Sequence, residues 1–170
     1  NYAWVYNNIG VAYRDLAELE DPVSNLRNSI KAFEEALKFW TEESAPLAYA
    51  GAQDGLGSAY LSLSEYENPM ENLERAFQAF NNSLKFRTPE QTPLLYAKTE
   101  YHIGLTLIRM ALLKEDHDEV CKDLMSARSA FREALRFSHL EQTGYLQKKI
   151  EQILQQLKQY AYNYDCLKDG

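Results

Sequence analysis

The chain has 170 residues, 45% of them hydrophobic and 25% charged, enough for one globular domain or a short solenoid with a real core. A net charge of -7 argues against nucleic acid or an anionic membrane as the main partner. No apolar run approaches the roughly 18 to 20 residues that cross a bilayer, and no basic start followed by an apolar stretch marks a secretion signal.

The chain opens at Asn1 without an initiator Met, directly into Tyr2-Ala3-Trp4, which points to a fragment of a longer protein. Ile9, Ala12, Tyr13 and Leu16 then follow helical spacing, and so do Leu26, Ile30, Phe33, Leu37 and Trp40. Asp21-Pro22 separates the two runs, since Pro lacks a donor and disfavours helix in the residue before it. Pro46 closes the unit, which reads as a helical hairpin, helix A then helix B, with helices of about 15 to 20 residues.

The same unit returns at an offset of 47 residues, with 20 identities in the 47 pairs from Tyr2/Tyr49 to Ala48/Leu95. Chance would give roughly three on average composition. Gly10 pairs with Gly57, Tyr13 with Tyr60, Asn25-Leu26 with Asn72-Leu73, Phe33 with Phe80, and Pro22 and Pro46 with Pro69 and Pro93. A third, more diverged unit carries Gly104 at the same offset. Its Leu124, Phe131 and Leu135 lie four residues further on, which places an insertion, and hence a loop, around Lys114–Asp118. From Gln142 to Tyr162, Leu146, Ile150, Ile153, Leu154 and Leu157 form one stripe against a Gln- and Lys-rich face. A terminal helix closing the array explains this pattern, and coiled-coil pairing is the other reading. Tyr160, Tyr162 and Tyr164 make the tail aromatic.

These residues resemble the tetratricopeptide repeat (TPR). Tyr6, Ile9-Gly10, Tyr13, Ser29, Phe33 and Ala36 match its pattern in the first unit; Leu56-Gly57, Tyr60, Ala76, Phe80 and Ser83 in the second; Ile103-Gly104, Leu107, Ala127, Phe131 and Ala134 in the third. A helix-interior Gly costs about 1 kcal/mol against Ala, so three at one phase point to a packing requirement: small residues let helices approach and the aromatic fills the groove opposite. The period of 47 departs from the usual repeat, and Thr41, Thr88 and His139 stand where the family has Pro. The resemblance is to long-period versions in prokaryotic multi-repeat proteins. It implies an all-α fold: an α–α superhelix, a TPR-like solenoid of three helical hairpins plus a C-terminal capping helix. One domain is expected over 1–170, with repeats at about 2–48, 49–95 and 96–141, the capping helix at about 142–163 and a tail at 164–170.

The resemblance also implies a peptide or helix held in a concave groove lined by helix A. By phase, the candidates are Trp4, Asn7, Val11 and Arg14 in the first unit, Asp54, Ser58 and Leu61 in the second, and Lys98, Tyr101, Leu105 and Ile108 in the third. Aromatic, amide and cationic side chains make a recognition set; ordinary solvated or inter-helix residues would also look this way. Of the family's clamp for a C-terminal carboxylate only Lys98 matches, the other phases carrying Asn7, Val11, Gly55 and His102, which argues against a chaperone adaptor. His117 and Cys121, four apart, make a weak ligand pair, and no Glu-x-x-His or His-Glu-x-x-His context surrounds any histidine. Arg128, Arg132 and Arg136 form a basic stripe, but neighbouring Asp123 and Glu133 favour a solvated face with ion pairs. Asn81-Asn82-Ser83 fits a glycosylation acceptor but falls mid-helix. No phosphate loop, nucleophile elbow or dinucleotide fingerprint is present.

Cys121 and Cys166 are too few for a disulfide framework and match no metal or redox spacing, so a reducing compartment is the default. The expectation is a cytoplasmic protein- or peptide-binding scaffold: not an enzyme, without cofactor or metal, and without nucleic-acid or membrane partners. The alternative is a self-association or regulatory module for a catalytic or signalling domain outside this fragment, using the uncapped N-terminal end around Tyr2, Trp4 and Tyr6 for homo-oligomer contacts.

Overall fold

The computed structural model describes residues 2–163 and Cys166; Tyr164 and the rest of the expected tail lie outside the described residues. Among the described residues the regular structure is all helical: α1 (Tyr2–Leu16), α2 (Pro22–Leu37), α3 (Pro46–Leu63), α4 (Pro69–Leu84), α5 (Pro93–Leu112), α6 (His117–Ser138) and α7 (Tyr145–Asn163). The chain divides into two compact units, residues 1–87 and 88–170. In the first, α1 pairs with α2 and α3 with α4, and α2 packs on α3. In the second, α5 pairs with α6 and α7 packs on α6. Neighbours therefore pack in sequence order, as in an α–α superhelix.

The prolines act as start signals. Pro22, Pro46, Pro69 and Pro93 each open a helix, where the missing N–H is not needed. Asp21 and Asn68 before two of them are left-handed, with φ of 40° and 42°, a conformation in which Asp and Asn are enriched. One turn on, the amides of Asn25 and Asn72 donate to the carbonyls of Glu20 and Glu67, each at 2.7 Å. That bond ties helix B to the preceding turn and gives the repeated Asn a physical reason, the acceptor being a backbone carbonyl that any residue supplies.

The glycine rationale also has a geometry. A Cβ at Gly10 would sit 3.0 Å from the Phe33 ring, one at Gly57 2.7 Å from Phe80, and one at Gly104 2.7 Å from Phe131. Each aromatic is fully buried on its own hairpin's helix A. Phe33 is pressed from a second side by Gly55 of α3, where a Cβ would approach to 2.5 Å. Ser29, at one of the small-residue phases, is buried and donates to the Gly10 carbonyl at 2.7 Å.

Three expectations change. The inserted residues of the third unit do not lengthen its turn: α6 begins at His117 and runs 22 residues, against 16 in α2 and in α4. The Asp116 carboxylate accepts from the Glu119 amide at 2.9 Å, and Asp118 and Glu119 suit the positive helix start. Second, Ile9 and Ala12 of α1 are exposed, not buried; the inward residues are Ala3 and Gly10. Third, Cys121 and Cys166 are joined in a disulfide, against the reducing-compartment default. Two cysteines make no framework, but the fold-back of α7 on α6 brings this distant pair together. The α7 stripe lies within the second unit, with Leu146, Ile150 and Leu157 buried, so packing on α6 accounts for it without a coiled coil. Among the described residues no helix is long and apolar enough to cross a membrane.

Candidate functional site

In the first unit, five of the seven candidates converge on one cleft. Trp4, Asn7, Val11 and Arg14 form the α1 wall, and Leu47, Ala48, Gly51, Asp54 and Gly55 the α3 wall, around a volume of about 260 Å³. Their spacing of three, four and three residues puts the α1 set on one helical face. Phe33 and Trp40 contribute to the lining as well. Trp40 is buried and meets the half-exposed Trp4 edge-on, with centroids 5.2 Å apart and planes at 84°. Such a pair gives the cleft a rigid aromatic end.

The cleft's charges are unequal in freedom. Asp54 is held by Arg87, Oδ1 to Nη1 at 2.9 Å, with both side chains largely out of water. A buried pair of this kind is costly to break from one side, so Asp54 acts as wall. Among the described residues Arg14 pairs with its exposed neighbour Asp15, at 3.0 Å, a surface contact worth roughly 0 to 1 kcal/mol that an incoming carboxylate replaces at little cost. Gly51 keeps the opposite wall low: a Cβ there would meet only Arg87 Nη2, at 3.9 Å.

The other two candidates of the first unit stand apart. Ser58 is half-buried and donates to the Asp54 carbonyl at 2.9 Å, and Leu61 is buried. Gly55, at one phase of the carboxylate clamp, is occupied by its contact with Phe33.

In the second unit two of the four candidates, Tyr101 and Ile108, stand beside α7. Ile108 lines an apolar cleft of about 450 Å³ with Leu112, Leu124, Ile153, Leu157 and Tyr160. Tyr101 packs edge-on to Phe131, with centroids at 5.8 Å, and contributes to holding the Lys149 amine of α7 above the usual lysine value. The larger share of that rise comes from the Tyr145 hydroxyl, with burial opposing it. Lys98 is exposed and adds to the lowering of Glu141, whose carboxylate accepts mainly from the Leu146 amide at the start of α7, at 3.1 Å. Leu105 is half-buried. Tyr101 and Ile108 of α5 thus meet α7 at Lys149 and across the apolar cleft.

Sequence reasoning missed Trp40, Gly51 and Leu47 as lining residues. For Gly51 a signal was present: at 4/51 the two repeats carry Trp/Gly, the largest exchange of size between otherwise matching units. The ligand pair His117/Cys121 is close, with Sγ 3.9 Å from Nε2. Its sulfur is spent in the disulfide, whereas zinc binds a thiolate. Arg136 pairs with Glu133 at 2.9 Å, as a solvated face would. The Asn81 amide donates to the Phe77 carbonyl within α4 at 2.7 Å. Comparison of the chain with protein-family models, with characterised proteins and with solved structures finds no match.

Proposed function

We propose that this chain is a tetratricopeptide-type binding scaffold that holds an extended peptide or a partner's helix in the cleft between α1 and α3. The observation that carries this is the convergence of Trp4, Asn7, Val11, Arg14 and Asp54 on one concavity walled by a tryptophan pair. A half-exposed aromatic on a rigid backing is the kind of anchor that concentrates binding energy, and a solvent-reaching guanidinium adds orientation. The fitting ligand presents an apolar or aromatic side chain to Trp4 with a carboxylate within reach of Arg14. On this reading the chain does no chemistry of its own and needs neither cofactor nor metal, and nucleic acid and membrane are not its partners. The cytoplasmic setting expected from the cysteine count is opposed by the Cys121–Cys166 bond, since disulfides persist in oxidising compartments.

The test is a pull-down from source lysate with the wild-type chain, Trp4→Ala and Arg14→Glu. Both positions are solvent-accessible enough for the helical spectrum to be kept. Loss of one captured protein in both variants supports the cleft; capture that survives both rejects it.

A further inference from the structure

The turns that join helix A to helix B carry a feature the scaffold does not require. Leu19 lies between Glu18 and Glu20 in the first, and Tyr66 between Glu65 and Glu67 in the second. Leu19 is 83% exposed and Tyr66 53%. Only 20 of the 47 paired positions are identical between these repeats, yet both turns keep an apolar residue flanked by two glutamates. The bonds from Asn25 and Asn72 take backbone carbonyls at Glu20 and Glu67, so they do not explain the glutamate side chains. Leu113 stands at the same phase of the third repeat, 47% exposed. A single exposed apolar residue is ordinary, but recurrence at one phase of a diverged repeat calls for a cause.

Neighbouring repeats do not cover this place. Leu19 is followed within the first unit by a complete hairpin, α3–α4, and stays exposed; Tyr66 is preceded by a complete hairpin, α1–α2, and stays exposed. A repeat on either side therefore leaves the position bare. Both turns are fixed in shape. Asp21 and Asn68 share the left-handed conformation, and Arg27 of α2 holds the Glu67 carboxylate, Nε to Oε1, at 3.0 Å. In the first turn Glu18, Glu20 and Asp21 are exposed and pair with no cation among the described residues.

We infer that these two turns form a docking surface for a basic amphipathic segment of a partner protein, one whose apolar residues alternate with lysine or arginine. The charge pattern selects this occupant. Apolar side chains flanked by carboxylates are covered without loss only by a segment that brings cations to the rim. The unpaired carboxylates of the first turn then accept charge-assisted hydrogen bonds from those cations. The same carboxylates repel nucleic-acid phosphates and anionic lipid. Because the turns already hold their shape, binding orders little of this backbone. The surface lies past the C-terminal ends of α1 and α3 and uses none of the residues that line the cleft between them, so it does not rest on the peptide-binding reading.

The test is fluorescence anisotropy with a short labelled peptide of leucine and lysine at helical spacing, and with the same peptide carrying glutamine for leucine. The wild-type chain is expected to bind the first peptide far more tightly than the second, and less tightly as salt rises. Leu19→Ser/Tyr66→Ser should weaken binding about tenfold or more, as the loss of two apolar anchors does. Glu18→Gln/Glu20→Gln should weaken it and flatten the salt dependence. All four positions are exposed, so circular dichroism should show the fold kept. Trp4→Ala, in the cleft, should leave binding unchanged, which separates this surface from the cleft. A wild-type chain that does not bind the leucine–lysine peptide overturns the inference. Equal binding of both peptides does so too, as does binding that survives Leu19→Ser/Tyr66→Ser or is lost on Trp4→Ala at an unchanged helical spectrum.

Discussion

Replacing a helix-interior glycine by alanine normally stabilises a helix, and α3 contains both a glycine that should obey this rule and one that should break it. Gly51→Ala adds a Cβ whose nearest neighbour is Arg87 Nη2 at 3.9 Å, ordinary contact, so the full propensity gain of roughly 0.8 to 1 kcal/mol is expected. Gly57→Ala offers the same gain. Its Cβ, however, would lie 2.7, 2.8 and 3.0 Å from three atoms of the Phe80 ring, and that ring is fully buried and cannot swing aside. Overpacking of this kind costs about 1 to 3 kcal/mol, so the net effect is a loss of up to about 2 kcal/mol after the propensity gain. Urea unfolding followed by far-UV circular dichroism reads both, with the midpoint moving up for Gly51→Ala and down for Gly57→Ala at unchanged slope. Combining Gly57→Ala with Phe80→Leu should be less damaging than the sum of the two, since each relieves the other's fault. A Gly57→Ala midpoint raised as much as that of Gly51→Ala would refute the close-approach reasoning.

Glu100 on α5 is pushed above the usual carboxylate range chiefly by burial; its hydrogen bond with Tyr96 acts in the opposite direction and the charge of Glu133 adds to the rise. The folded chain then holds this proton more tightly than the unfolded one, so stability falls as pH climbs from the ordinary carboxylate value to the raised one. Glu100→Gln should therefore raise the midpoint at neutral pH and leave it little changed below the ordinary carboxylate range; the same gain at both would contradict the assignment. Reducing Cys121–Cys166 frees a pair separated by 45 residues, which the chain-entropy account values at about 4 kcal/mol and typical bridges at about 2 to 4. Unfolding with and without dithiothreitol, against Cys121→Ser/Cys166→Ser, checks this: the reduced wild type should match the variant, and an unchanged midpoint would show that the bond does not constrain residues 88–170.

What could be read in the sequence was whatever repeats. Pro22 and Pro69, Gly10 and Gly57, and Phe33 and Phe80 mark the starts and contacts that every hairpin must solve alike, so period and phase carried the helices and their pairing. The partner of Asn25, a carbonyl at Glu20, was not legible, because a backbone acceptor leaves no side-chain trace. Nor was the absorption of four residues into α6, since Asp116 became a cap only once the helix behind it had somewhere to start. The buried Asp54–Arg87 pair joins positions 33 apart, one on α3 and one in the turn after α4, that follow no common period. Ile9 and Ala12 were misplaced for a plainer reason: periodicity shows that a face is apolar, but not what lies against it.

The candidate cleft follows from that same contrast between fixed and free positions. Gly and Phe recur at 10/57/104 and 33/80/131 because a ring pressed against a bare backbone admits one size on each side. The groove phases are not held this way. Positions 4/51/98 carry Trp, Gly and Lys, and positions 14/61/108 carry Arg, Leu and Ile. Between α1 and α3 this divergence sets the largest side chain on one wall and none on the other, so Trp4 stands over space that Gly51 leaves open. Had the repeats stayed identical at this phase, a tryptophan at position 51 would fill the volume that the first one lines. The cleft exists because duplication fixed the scaffold while the two copies of one groove position moved to opposite extremes of size.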